Sequence, residues 1–152
     1  MTQKPTGRIA GIDYGTVRIG IALGDLELNI AGPYETYIRR NIDLDAKYFT
    51  ELATAERLKR FVVGLPVHLD GHESQKSREA RKFGAWLGKL TSIPIDYFDE
   101  RFTSAQAEEI LGEANLTKKR RQARIDQLAA QIMLTAYLES GAKSQENPQG
   151  LD

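Results

Sequence analysis

The stretch Arg8-Ile9-Ala10-Gly11-Ile12-Asp13-Tyr14-Gly15-Thr16-Val17-Arg18-Ile19-Gly20-Ile21-Ala22-Leu23 decides the fold. Arg8 to Asp13 is a short apolar run that ends in a carboxylate, the pattern of a buried strand. Tyr14-Gly15-Thr16 reads as a tight turn, and Arg18 to Leu23 is a second apolar run rich in Ile, Gly and Ala. Two strands this close in sequence pair as an antiparallel hairpin. Gly11, Gly15 and Gly20 suit tight turns or close backbone approach.

Outward from the hairpin, Ile30 to Ile38 is a candidate third strand, interrupted by Gly32 and Pro33. Leu44 to Leu58 has helical spacing, with Leu44, Tyr48, Leu52, Ala55 and Leu58 near one face. Arg60 to Leu65 reads as a buried strand stopped by Pro66. Ser74 to Leu90 is helical, with Ala80, Phe83, Leu87 and Leu90 on one stripe, and Ile93 to Phe98 is a strand running into Asp99-Glu100-Arg101. Thr103 with Gln106 forms a capping box for a helix ending near Asn115. Lys118 to Arg124 is a basic run, followed by a last helix over Ile125 to Leu138 and a terminating Gly141. Hairpins first and helix-linked strands later predict an α/β fold: a mixed five-stranded sheet, its first three strands antiparallel, with helices on its faces. Residues 1–141 are expected to form one domain, and the polar tail 142–152 to be disordered.

The bulk properties set limits. Hydrophobic residues make up 41% and charged residues 28% of 152, a water-soluble globular profile. There is no cysteine, which excludes disulfides, thiolate catalysis and a Cys-based zinc site. No apolar stretch approaches a membrane span, and Met1 to Gly7 lacks the apolar core of a signal peptide, so the expectation is a cytoplasmic protein with no membrane partner. The 21 basic and 21 acidic residues balance, which argues against coating nucleic acid uniformly and is compatible with a local basic site.

Three acids occupy places where a carboxylate is costly without a partner. Asp13 ends an apolar strand, Glu100 lies just past another, and Asp126 borders the packed face of the last helix. In parallel α/β sheets the carboxyl ends of strands gather on one edge, where ligands bind. Clustered carboxylates pair with cations or share protons, and an oxygen-only set suits Mg²⁺ or Mn²⁺. Each acid also has a structural reading: a turn cap for Asp13, a pair with Arg101 for Glu100, and the N-terminal helix dipole for Asp126. Spacing alone does not decide between these readings.

Four motifs, in order, resemble the YqgF/RuvX family: Gly11 to Leu23; Val63-Gly-Leu-Pro-Val-His-Leu-Asp-Gly71; Asp99-Glu-Arg-Phe-Thr-Ser104; and Asp126-Gln-Leu-Ala-Ala130 with its apolar helix. The resemblance covers about nine-tenths of the chain. It implies an RNase H-like fold related to Holliday junction resolvases and a nuclease maturing the 5′ end of pre-16S ribosomal RNA. It carries the acidic site, catalytic and metal-binding, onto Asp13, Glu100 and Asp126, with Asp99 adjacent in the same motif. It further implies attack by water without a covalent enzyme intermediate, leaving 5′-phosphate and 3′-hydroxyl ends. One departure is His68, where the family usually has Asn.

For nucleic-acid contact the candidates are Arg18 and Arg101, which lie within the first and third motifs and could equally form ion pairs, and the run Lys118, Lys119, Arg120, Arg121 and Arg124. Cations beside an acidic site grip phosphate and supply affinity rather than sequence choice. His68, Asp70 and His72 meet no metal-ligand spacing, and Trp86 is expected in the core. The expected partner is structured RNA, as pre-16S rRNA or a ribosomal particle, with a DNA junction as the alternative and a monomer or homodimer as the acting species. A non-catalytic nucleic-acid-binding module is a further alternative. Asp13 to Thr16 also resembles the phosphate loop of the actin and sugar-kinase fold, but that class needs a second domain to close over nucleotide.

Overall fold

The computed structural model describes residues 6–66, 74–100 (Glu100 by its backbone) and 117–142. These form β1 (Arg8–Asp13), β2 (Arg18–Asp25), β3 (Ile30–Ile38), α1 (Ile42–Ala55), β4 (Leu58–Pro66), α2 (Gln75–Thr91), β5 (Ile95–Glu100) and α3 (Lys118–Glu139). The sheet order is β3-β2-β1-β4-β5. β1–β2 and β2–β3 are antiparallel, joined by short turns, whereas β4 pairs in parallel with both β1 and β5. The chain reaches β4 through α1 and β5 through α2, the long crossovers that parallel pairing requires. The expected mixed sheet with three leading antiparallel strands is thus observed. β3 is an edge strand, and Pro33 is tolerated there because the β2–β3 register shifts at this point.

Strand alternation splits the core into two layers. Ala10 and Ile12 of β1, Ile19 and Ile21 of β2, and Phe61, Val63 and Leu65 of β4 pack with Phe49 of α1 and Phe83 and Leu87 of α2. Ile9, Ala22 and Val62 point the other way, onto Ala130, Met133, Leu134 and Tyr137 of α3. Full burial of Met133 and Leu134 contributes about 1.5–3 kcal/mol each toward holding α3 on the sheet. Asp13 follows Ile9 and Gly11 in the series that faces α3. Glycines bring that helix close. A Cβ on Gly11 would lie 3.0 Å from the Leu134 Cβ, and one on Gly20 would lie 2.5 Å from the Asp126 carbonyl carbon and nearer still to its oxygen.

Two helices differ from the sequence expectation. α1 begins at Ile42, capped by Asn41, whose side chain accepts from the Leu44 N–H, and Leu58 belongs to β4. Its buried face carries Asp45, Phe49, Leu52 and Ala53, while Leu44 is exposed. α3 starts seven residues before the expected Ile125. Thr117 caps it by accepting from the Arg120 N–H, and Lys, Arg and Gln are good helix formers. The basic run therefore forms the first turns of α3, and Asp126 lies in its third turn, beyond the reach of the N-terminal dipole. None of the residues 118–124 is buried, so apolar periodicity does not mark these turns. α2 matches closely, with Ser74 as its N-cap, and Gly141 follows α3 at φ 91°. His68, Asp70, His72, the Thr103–Asn115 helix, Arg101 and the tail beyond Ala142 lie outside the described residues.

Candidate active site

The carboxyl ends of β1 and β4 and the turn after β1 form one edge of the sheet, overhung by α3. Asp13 ends β1 and is paired with Gly20 of β2. Asp126 reaches the same place from α3. Its Oδ2 accepts from Arg18 Nε at 2.8 Å and its Oδ1 from Gln122 Nε2 at 3.1 Å. Two further bonds fix α3 against the edge strand: Thr36 Oγ1 donates to the Ala123 carbonyl at 2.5 Å, and Gln131 Nε2 to the Ala31 carbonyl at 3.1 Å.

Between these elements lies a cleft of about 420 Å³. Asp13, Asp126, Arg18 and Gln122 line one part, Gly64 and Pro66 the end of β4, and Lys76 and Glu79 of α2 the far wall. Three acids and two bases thus share one solvent-filled space. Glu100 ends β5, its backbone registered with Pro66 at this same sheet edge. Asp99 falls in the series of Ile95 and Tyr97, which pack toward the α1–α2 layer. Among the described residues no group of three His, Cys, Asp or Glu side chains is placed to hold a metal.

A polar network behind the sheet fixes the turn that follows Asp13. Tyr14 packs on Phe83, with ring centroids 4.9 Å apart, and its hydroxyl accepts from Arg39 Nη1 at 2.7 Å. Arg39 Nε in turn donates to Asp45 Oδ2 at 3.3 Å, and the other Asp45 oxygen accepts from Tyr37 Oη at 2.6 Å and the Arg40 N–H at 3.0 Å. Burial pushes the Asp45 carboxyl up, but the bonds from Tyr37, the Arg40 backbone and Arg39 outweigh it, and the group sits below the ordinary 3.8. At the opposite end of the sheet, Tyr137 accepts a short hydrogen bond from Arg60 and donates to Asp96 Oδ2 at 2.5 Å. Burial, then Asp96, raises that phenol's pKa, and the cluster pins α3 to β4 and β5.

The structure brings Asp13, Asp126 and Arg18 together. Lys118 and Lys119 line a neighbouring groove with Arg18, whereas Arg120, Arg121 and Arg124 line neither cavity. Trp86, expected in the core, is partly buried and packs against Phe83 and Phe49 at the core's margin. Gln122, Lys76 and Glu79 were not singled out in the sequence. Gln122 stands four residues before Asp126, the spacing of neighbours on a helix face, and that signal was available. Lys76 and Glu79 look like ordinary solvent-facing positions.

Comparison with known proteins places this geometry in a family. The model of a family described as RuvX, Holliday junction resolvase, matches residues 7–140. A relative from Rhodopirellula baltica, provisionally named pre-16S rRNA nuclease, is 47% identical over 135 residues, covering 89% of this chain and 78% of its own. One of the same name from Koribacter versatilis is 37% identical over 142 residues, 93% of each chain. Among solved structures, Thermus thermophilus RuvC in complex with Holliday junction substrate superposes with TM-score 0.55 at 14% identity, over 90% of this chain and 96% of that one. A fowlpox virus resolvase with junction DNA superposes with TM-score 0.52 at 11% identity, over 90% of this chain and 99% of that one. The fold is therefore the RNase H-like architecture of these proteins. No helix among the described residues is long and apolar enough to cross a membrane.

Proposed function

This chain belongs to the RuvX family of resolvase-like nucleases, and from that premise we propose that it is a metal-dependent endonuclease that hydrolyses phosphodiesters of structured RNA, in the 5′-end maturation of pre-16S rRNA. The observation that carries the reading is the convergence of Asp13 and Asp126 on one cleft at the carboxyl edge of the parallel strands. Acids from separate elements are brought together at the place where α/β sheets bind ligands.

The donor set fits a hard divalent ion. The acids offer only oxygen, and Asp126 already draws a cation and an amide N–H onto its two oxygens. Asp13 and Asp126, with Glu100 from the end of β5, would hold Mg²⁺ or Mn²⁺. When bound, such an ion activates water as a nucleophile and stabilises charge on the leaving oxygen.

The protein's own groups supply the remaining work. Arg18 spends Nε on Asp126, which orients the outer guanidinium nitrogens as a fork for a phosphate. Gln122 holds the other Asp126 oxygen and so fixes the carboxylate plane. The network through Tyr14, Arg39 and Asp45 keeps the turn after Asp13 from shifting. Lys76, Lys118 and Lys119, with Arg101 and the rest of the basic run, would draw the nucleic-acid backbone to this edge.

A second reading, resolution of DNA junctions, draws support from the family description and the shared fold. A symmetric junction calls for a homodimer, whereas RNA cutting needs only a monomer. Both are tested by incubating the protein with leader-containing RNA and with a four-way DNA junction, then analysing the product ends. Cleavage leaving 5′-phosphate and 3′-hydroxyl ends on RNA alone is expected. Paired cuts confined to the DNA junction would replace the RNA reading, and 3′-phosphate or cyclic ends would refute the mechanism.

A further inference from the structure

A second cavity, of about 530 Å³, opens beside the Arg18–Asp126 pair, between the start of β2, the end of β3 and the first turns of α3. Val17 and Ile38 form its apolar walls, and both are large aliphatic side chains more than half exposed, at 60% and 53%. Its rim is basic, with Arg18, Lys118 and Lys119. Val17, Arg18 and Gln122 line this groove and the acidic cleft alike, so the two spaces are continuous.

We propose that this groove is a subsite for one unpaired nucleotide adjoining the bond that is cut, its base lying against Val17 and Ile38 and its phosphate on Lys118 and Lys119. The inference rests on the nucleic-acid reading above and adds to it the form of substrate. A nucleotide has an apolar face and an anionic link, and this groove offers both complements side by side. Its size falls in the range of about 300–1,000 Å³ typical of ligand pockets. The Thr117-capped N-terminus of α3 adds positive potential where the lysines stand. A purely apolar peptide would match the walls and leave Lys118 and Lys119 without a counter-charge, Arg18 being already paired with Asp126. A paired base is shielded in its stack, so the groove selects a nucleotide outside the duplex. The Thr36 hydroxyl donates to the Ala123 carbonyl and the Gln122 amide to Asp126, which leaves the two neutral polar side chains of the groove with little donor capacity to read base edges. Selection is therefore for an unpaired nucleotide of any base.

The test uses the full chain, in Ca²⁺ to hold cleavage off, with a fluorescein-labelled RNA hairpin carrying an unpaired tail and the same hairpin blunt-ended. The neutral double variant Val17→Ser/Ile38→Ser replaces exposed side chains and leaves the core untouched, which thermal melts will verify. Anisotropy is expected to show about tenfold weaker binding of the tailed hairpin, unchanged binding of the blunt one, and no dependence on the tail's base. 4-Thiouridine in the tail should crosslink to the peptide containing Ile38. Equal affinity of variant and wild type for the tailed hairpin, equal losses on both probes, or crosslinks elsewhere would overturn the subsite. Tail-selective binding without cleavage in Mg²⁺ would refute the nuclease reading and leave the subsite standing. Absence of binding to either probe would overturn both.

Discussion

Replacing Gly20 by Ala tests how the fold builds the site. The added Cβ would meet the Asp126 carbonyl carbon at 2.5 Å and the Asp126 Cβ at 3.1 Å. The obstacle is helix backbone, which cannot swing aside as a flexible side chain would. α3 must move off β2, although Thr36 and Gln131 tie it to β3 and Leu134 and Tyr137 are buried beneath it. Overpacking of this kind costs about 1–3 kcal/mol. Because the obstacle is rigid backbone the upper end of about 3 kcal/mol applies, and the entropic advantage of Ala over Gly returns about 0.4–1 kcal/mol, for a net loss of about 2–2.6 kcal/mol. In a chain of this size that lowers Tm by roughly 4–10 °C. Gly32→Ala is the control, since a Cβ there meets nothing within 4 Å. Calorimetry of both variants, with cleavage measured well below either Tm, separates stability from alignment. Gly20→Ala should melt early and lose activity even where fully folded, because the carboxylate that moves is Asp126. A Gly20→Ala Tm equal to that of wild type would refute the claim that this contact sets the height of α3.

Two further predictions concern charge. Asp45 has a carboxyl lowered from 3.8 in the folded protein, so its contribution to stability is present above that value and fades as pH falls through the folded-state pKa. Asp45→Asn should cost about 2–4 kcal/mol at neutral pH, the gap from wild type closing on acidification below 3.8 in urea titrations; a gap that stays constant with pH would show that the charge is not what matters. Lys118→Gln/Lys119→Gln should flatten the dependence of log affinity on log salt by about 1.4 for a single strand, and an unchanged slope would remove these lysines from the phosphate grip.

Much of this architecture was readable from residue order. The hairpin from Arg8 to Leu23 shows its pairing because apolar runs alternate across a short turn, and the same alternation puts Asp13 on the face that α3 covers. Asp126 was identified by its place beside an apolar helical stripe. The start of α3 was not legible because its first turns, Lys118 to Arg124, bury no apolar side chain that would mark the period. Asp45 was missed for a different reason. An acid in the first turns of a helix ordinarily faces water, and only the fold-back of Tyr37, Arg39 and Arg40 onto it, from the end of β3 just upstream, satisfies the buried carboxylate. Arg18 was legible as a cation near the site, but its pairing with Asp126, 108 residues away, exists only once the sheet and helix are assembled.

The central claim is that Asp13 and its neighbours hold the ion that drives phosphodiester hydrolysis. It is tested most directly by cleavage of an RNA carrying the pre-16S 5′ leader in Mg²⁺, Mn²⁺ or EDTA, with wild type and Asp13→Asn in parallel. The account predicts cleavage by wild type in either metal, none in EDTA, and none by a variant whose melting curve shows it folded. Metal-independent cleavage, or undiminished cleavage by Asp13→Asn, would contradict it.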